Sequence, residues 1–244
     1  MKRSRRTRRL FLLGTDTGCG KTAVACALLR SAADAGIKSV PFKPAVSGPD
    51  GPNSDPARLL RAAGMDEREL PAIAPLRFPL PLAPGIAEAP TRFTTNPRPP
   101  PSGDPLTRAL AALRDLEDRY DPDLTIIEGA GGLLVPMPGG TWLSDWIDGL
   151  RAIPLVVGRL GLGTVNHTLL TIEALRTRGM NPTGFVLSKT KQRRDPSTLQ
   201  NPDIIARASG LPCLGVLPHT EFPPRDWHAT DLWTRLRAGE SAED

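Results

Sequence analysis

The apolar run Leu10-Phe11-Leu12-Leu13 ends abruptly in Gly14-Thr15-Asp16-Thr17-Gly18-Cys19-Gly20-Lys21-Thr22, and a helical apolar pattern follows at Val24, Ala27 and Leu28. A buried strand, a glycine-rich turn and a helix, in that order, point to an α/β architecture. Such a turn is also an anion site. The first N–H groups of the helix are unpaired, its dipole favours negative charge, and glycines let the backbone approach a ligand closely. The strict phosphate-loop spacing, G-x-x-x-x-G-K-[ST], would put its first glycine at position 15. Here that position holds Thr15, and the glycine is Gly14, one residue early. Lys21 is expected to reach the outer phosphates and the Thr22 hydroxyl to face a divalent cation.

Further along, short β-rich runs alternate with helical patterns. The first helix should stop at Gly36, and Ile37–Phe42 reads as a second strand closed by Pro44. Residues 71–105 hold eleven prolines and read as an irregular surface excursion. Asp104-Pro105 predicts a capped helix start, with Leu106, Leu110, Leu113, Leu116 and Tyr120 at helical spacing. Strands are expected at Leu124–Ile127, Ile153–Val157, Thr183–Leu187 and Leu214–Leu217, with helices over 167–178 and 203–209. This alternation predicts one α/β domain over residues 10–220, a mostly parallel sheet with helices on both faces. Residues 1–9 read as a basic, disordered tail and 221–244 as a C-terminal extension.

The net charge of +5 would suggest a nucleic-acid partner, but Lys2, Arg3, Arg5, Arg6, Arg8 and Arg9 carry it; the remainder is nearly neutral. The basicity therefore belongs to a solvated terminus, and no nucleic acid is expected. Neither a secretion signal nor a membrane span is apparent, because the apolar run is too short for either. Cys19, Cys26 and Cys213 form no C-x-x-C pair and no even framework, which fits reduced thiols in the cytoplasm.

Four more segments carry chemistry. Lys43 in "KPAVSG" lies at a strand end, where ligands gather in α/β sheets, and would add a second positive charge beside the phosphates. Asn53-Ser54-Asp55 lies in a Pro/Gly-rich stretch and reads first as a turn. Glu128, in "TIIEGAGGLLVP", ends an apolar strand. A carboxylate there is costly unless paired or bound to a cation, so it reads as a Mg²⁺-facing acid, and Gly129, Gly131 and Gly132 allow close backbone approach to a ligand. "GLGTVNHTLLT", Gly161 to Thr171, opens a second helix whose N-terminus could take a carboxylate. His167 within it reads as a capping or packing residue.

"GTDTGCGKT", with five residues between its outer glycines, resembles the variant phosphate loop of the dethiobiotin synthetase family. "KPAVSG", Asp55, "EGAGG" and "GLGTVNHT" follow in that family's order, so the resemblance spans about residues 10–220. Related partitioning proteins carry a lysine where Asp16 stands, which argues against a nucleotide-switched interaction protein. A corrinoid amide synthetase would need a glutaminase domain, which the residues after Pro218 are too few to encode.

The resemblance implies closure of a cyclic urea from 7,8-diaminopelargonate, CO₂ and ATP. It implies that Thr15, Asp16, Thr17, Gly18, Cys19, Gly20, Lys21 and Thr22 cradle the nucleotide, with Ser188 and Pro218 near its base. Thr22, Asp55 and Glu128 would hold Mg²⁺. Lys21 and Lys43 would serve phosphoryl transfer, and Thr17, Lys43, Ser47 and Gly131 would contact the diamine. Gly163, Thr164 and Asn166 would receive the substrate carboxylate across a homodimer interface. Three places depart from the family, and the first is Gly18, where some members have an acidic residue. "FPLPLAPGIAEA" follows its substrate-side loop only loosely, and Ser188-Lys189 stands where many members place an Asn-Asp pair that reads the purine.

Overall fold

The computed structural model describes residues 7–88, 103–192, 195–219 and 232–233. In chain order the strands are β1 Arg8–Gly14, β2 Ser39–Phe42, β3 Ala45–Ser47, β4 Leu76–Phe78, β5 Leu124–Gly132, β6 Pro136–Met137, β7 Thr141–Trp142, β8 Ile153–Arg159, β9 Phe185–Ser188 and β10 Cys213–Leu217. The helices are α1 Lys21–Asp34, α2 Asp55–Ala63, α3 Leu70–Ile73, α4 Pro84–Glu88, α5 Pro105–Tyr120, α6 Leu143–Gly149, α7 Thr164–Thr177 and α8 Asn201–Ser209.

Six strands form one sheet in the order β10-β9-β8-β1-β5-β2, with every neighbouring pair parallel. Successive residues of a strand point to opposite faces. Leu10, Phe11, Leu12 and Leu13 are all fully buried, so both faces of β1 are covered, as parallel sheets require. Pro41 is accommodated because β2 is an edge strand, where a missing N–H breaks no ladder on the open side.

The α/β class, the parallel sheet and the order of its strands along the chain agree with the sequence reading. Several boundaries shift. β1 begins at Arg8, so the last two residues assigned to the tail belong to the sheet. Arg9 forms a fork to Glu117 of α5, with Nε–Oε1 2.9 Å and Nη2–Oε2 2.6 Å, and donates to the Leu150 carbonyl. Lys2, Arg3, Arg5 and Arg6 lie outside the described residues. Of the extension, Leu232 and Trp233 are described; both are buried, and the Trp233 indole donates to Ser31 Oγ of α1 at 3.0 Å.

The stretch 71–105 is not wholly irregular. Within its described part lie the end of α3, β4, which pairs with β3, and α4. Pro71 and Pro84 sit in the first turns of α3 and α4, where the missing N–H would have been unpaired anyway. Asp55, read as a loop residue, instead opens α2, with Pro56 in that helix's first turn. α7 starts at Thr164, three residues early, because Gly163 at φ 90° ends the preceding turn there. α5 starts as expected: the Asp104 carboxylate accepts from the Thr107 N–H at 2.8 Å.

Candidate active site

Three parallel strands bring their carboxyl ends together. β5 lies between β1 and β2, with Leu12 facing Glu128 on one side and Phe42 facing Ile127 on the other. The loop after β1, Lys43 just beyond β2 and Glu128 of β5 therefore meet at one edge. Beyond Glu128 the register breaks, and Gly14 pairs with Gly132. The backbone at 129–131 thereby bows around the loop, and Gly131 comes beside the Thr17 hydroxyl.

Loop geometry explains the displaced glycine. The Thr15 N–H donates to the Val157 carbonyl of β8 at 2.9 Å, pinning the loop's start. The chain then curls back over Gly14, and Lys21 Nζ donates to the Asp16 carbonyl at 3.1 Å. A Cβ on Gly14 would stand 2.7 Å from Asp16 O, Cys19 Sγ and Lys21 Nζ. The bare Cα is thus needed one residue earlier than in the strict motif. Gly20, at φ 100°, turns the chain into α1, and any side chain there would collide with Ser188. Cys19 is buried in the core, and all three cysteines are free thiols. Burial, with the nearby Glu128 charge, pushes Cys26 up to about 11, so it is an inert packing group.

A cavity of about 650 Å³ opens beside this loop. Its polar wall includes Thr17, Lys21, Thr22, Lys43, Ser47, Asp55, Arg58 and Glu128, while Pro81 to Pro84 and Val135 form an apolar side. Lys43 is 3% exposed and Glu128 1%. Lys43 Nζ lies 2.8 Å from Glu128 Oε1 and 3.0 Å from Asp55 Oδ2. Burial alone would lower the Lys43 pKa, but the charges of Glu128 and Asp55 outweigh it and hold it above the ordinary lysine value. Burial likewise pushes Asp55 up. The Lys43 charge and hydrogen bonds from Lys43 and Thr22 more than offset this, so its carboxyl lies below the usual range.

Thr22 Oγ1 lies 2.9 Å from Asp55 Oδ1 and 2.8 Å from Glu128 Oε1. One hydroxyl proton cannot serve both oxygens. Glu128 Oε2 is buried and has no hydrogen-bond partner. Crowded oxygens and an orphaned carboxylate oxygen fit a hard divalent cation, which takes oxygen ligands and keeps several waters. Thr22, Asp55 and Glu128 are the residues able to hold it. Among the described residues no group of three or more His, Cys, Asp or Glu is arranged to hold a metal ion.

Most of the residues named from sequence converge here: Thr17, Gly18, Gly20, Lys21, Thr22, Lys43, Ser47, Asp55, Glu128 and Gly131 line one cavity. Others do not. Thr164 and His167 border a small crevice with Thr15, Asp16, Thr17 and Cys19 on another side of the loop. Gly163 and Asn166 are exposed outside the main cavity. His167 is exposed too, so it is not the packing residue the sequence suggested, and the helix cap is Gly163. Ser188 is buried beneath Gly20, and Pro218 is exposed beyond β10. Sequence reasoning missed Arg58. Its spacing of three from Asp55 puts both on one helix face, but only once 55–63 is known to be helical.

A family model described as an AAA domain matches residues 8–222, most of the chain. Among curated proteins, ATP-dependent dethiobiotin synthetase BioD of Anaeromyxobacter dehalogenans is 45% identical over 212 residues, 86% of this chain and 90% of its own length. Proteins of the same name from Caulobacter vibrioides and Bacillus licheniformis are 39% and 35% identical, over 76% and 86% of this chain and 82% and 86% of theirs. Chloroplast FtsY from Physcomitrella patens is similar in fold, with a TM-score of 0.54 at 16% identity, covering 95% of this chain and 65% of that one. The Signal Recognition Particle 54 kDa protein from Aeropyrum pernix gives 0.53 at 15%, covering 100% and 51%. The chain thus spans about two thirds and half of the lengths of these two structures, which bear on the fold alone. Motif order, converging side chains and identity over most of the chain agree: the chain belongs to the ATP-dependent dethiobiotin synthetase family.

Proposed function

We propose that this chain closes the ureido ring of dethiobiotin from 7,8-diaminopelargonate, CO₂ and ATP. One amine of the diamine adds to CO₂ and loses a proton, giving a carbamate. A carbamate oxygen then bonds to the γ-phosphorus as the bond to ADP breaks. The second amine attacks the carbonyl carbon and gives up a proton, and phosphate leaves as the ring closes. Alignment and cations carry such chemistry, with little covalent work for the protein.

One observation carries this reading: Lys21 and Lys43 line one cavity with Thr22, Asp55 and Glu128. Loop amides from Asp16 to Thr22 and the Lys21 ammonium hold the triphosphate, whereas the Thr15 N–H is spent on the Val157 carbonyl. Thr22, Asp55 and Glu128 hold Mg²⁺, which when bound neutralises charge on the phosphates. Lys43 offsets repulsion between carbamate and γ-phosphate. Thr17 and Ser47 orient the diamine, Gly131 lets it approach the backbone, and the apolar side of the cavity suits its alkyl chain. Gly163, Thr164 and Asn166 take the carboxylate end in a homodimer. The exposure of Gly163 and Asn166 outside the main cavity and the exposed Leu162 and Leu170 nearby support that assignment. Among the described residues no helix is long and apolar enough to cross a membrane, and the three thiols are free. Both observations support a cytoplasmic enzyme of small molecules.

The test is to incubate the protein with Mg²⁺-ATP, bicarbonate and 7,8-diaminopelargonate and to detect the cyclic urea by mass. ATP hydrolysis with no ring product would sink the reading. A second expectation concerns the base. Ser188 is buried, and Lys189 lines a separate cavity of about 440 Å³ with Arg159 and Lys191. Among the described residues that line this cavity, none carries a side-chain amide to read a purine. A site lacking such hydrogen bonds discriminates weakly, so affinities for ATP, GTP, CTP and UTP should lie within about tenfold. Selectivity for ATP of a thousandfold would refute it.

A further inference from the structure

Arg58 is the one cation of the main cavity wall that no motif accounts for. It lies one turn beyond Asp55 on α2 and lines the cavity with Lys21, Lys43, Ser47 and Glu128. That turn is fixed against α1, where the Cys26 thiol donates to the Arg58 carbonyl at 3.5 Å. Lys43 is engaged by both cavity carboxylates, and Lys21 by the Asp16 carbonyl. Arg58 has no ion-pair partner among the described residues, although two carboxylates share its cavity. Both are already turned toward Lys43 and Thr22.

An arginine guanidinium is a planar, permanently charged fork that matches two oxygens of a phosphoryl group, and this one is not tied up by either cavity carboxylate. We infer that Arg58 is a further catalytic residue, its guanidinium gripping two oxygens of the γ-phosphoryl group as that group passes from ADP to the acceptor. The bonds made and broken are those of the transfer step above, and Arg58 exchanges no proton. It supplies charge where the phosphoryl oxygens gain it, which favours the transition state over bound ATP. The inference rests on the reading of the cavity as a phosphoryl-transfer site and names a residue for it.

The experiment measures Mg²⁺-ADP binding with and without aluminium fluoride, a mimic of the transferred group, for wild type, Arg58→Lys and Arg58→Ala. Wild type should gain affinity when fluoride is added. In Arg58→Ala that gain should shrink about fiftyfold, with ADP affinity alone within about threefold, because an open cavity wall supplies less than an enclosed donor. Arg58→Lys should recover only part, since an ammonium is a point charge and not a fork. Turnover should follow the same order, and free guanidinium should partly restore Arg58→Ala. An undiminished fluoride gain in Arg58→Ala overturns the inference, as does equal weakening of ADP alone. Failure of wild type to make the cyclic urea while the fluoride gain still depends on Arg58 would instead condemn the substrate assignment.

Discussion

Replacing Lys43 by methionine should lower turnover about 10³-fold while changing ATP affinity by less than about threefold. The ammonium lies among the acids of β5 and α2, whereas the proposed grip on the triphosphate comes from the loop amides. Its charge matters most when carbamate and γ-phosphoryl are pressed together. Equal loss in binding and turnover would show that Lys43 merely holds nucleotide. The same variant has a pH signature in the protein free of metal and nucleotide. Lys43 has a raised pKa in the folded state, so its stabilising contribution is complete below the unfolded lysine value and is lost as pH rises through the folded one. Asp55 is lowered, so its contribution is present above the unfolded carboxylate value and is lost as pH falls through the folded one. Wild type therefore keeps this term across the neutral window. Without Lys43 the buried Glu128 has no cation beside it, which costs about 3 kcal/mol at neutral pH. Without the Lys43 charge, burial raises the Asp55 carboxyl, so acidification neutralises it more readily and the stability gap should narrow toward pH 5. Urea unfolding at pH 5 and 8 measures it, and a gap that widens on acidification contradicts the geometry.

The strand, loop and first helix were legible because their signals are local: an apolar run, glycines and a Lys-Thr pair within about a dozen residues. Lys43 and Glu128 were legible as charges at strand ends. Their proximity to each other was not, because it depends on β5 inserting between β1 and β2, a long-range choice of sheet order. Asp55 was named, but its setting was misjudged. Gly51, Pro52 and Pro56 read as breakers, although Pro56 occupies a helix's first turn, where it costs nothing. That error concealed Arg58, whose orientation follows only from helical spacing. α6 escaped notice because its seven residues are too few to declare a period after the turn at Gly139-Gly140. The apolar cavity wall from Pro81 to Pro84 has no sequence period at all, and only tertiary packing reveals it.

The loop's extra residue leads to a sharper test of how it works. Gly14→Ala places a methyl 2.7 Å from the Asp16 carbonyl, the Cys19 sulfur and the Lys21 ammonium. Neither the backbone carbonyl nor the buried sulfur can step aside as a flexible chain end would, so the loop must shift as a unit. Forced overpacking of this kind costs about 1–3 kcal/mol, and at the upper end it falls on the geometry that aligns amides with phosphate. ATP affinity should therefore drop about 100-fold, read by calorimetry, with far-UV circular dichroism unchanged because the strand itself is intact. Thr15→Ala should stay within about threefold of wild type, since Thr15 contributes its backbone N–H, which alanine keeps. The double variant Gly14→Ala with Thr15→Gly restores the strict motif spacing on paper. If placement of a glycine in the motif were what mattered, it would bind ATP normally. If close packing over residue 14 is what matters, it stays as defective as Gly14→Ala, because the added methyl still meets the same three atoms.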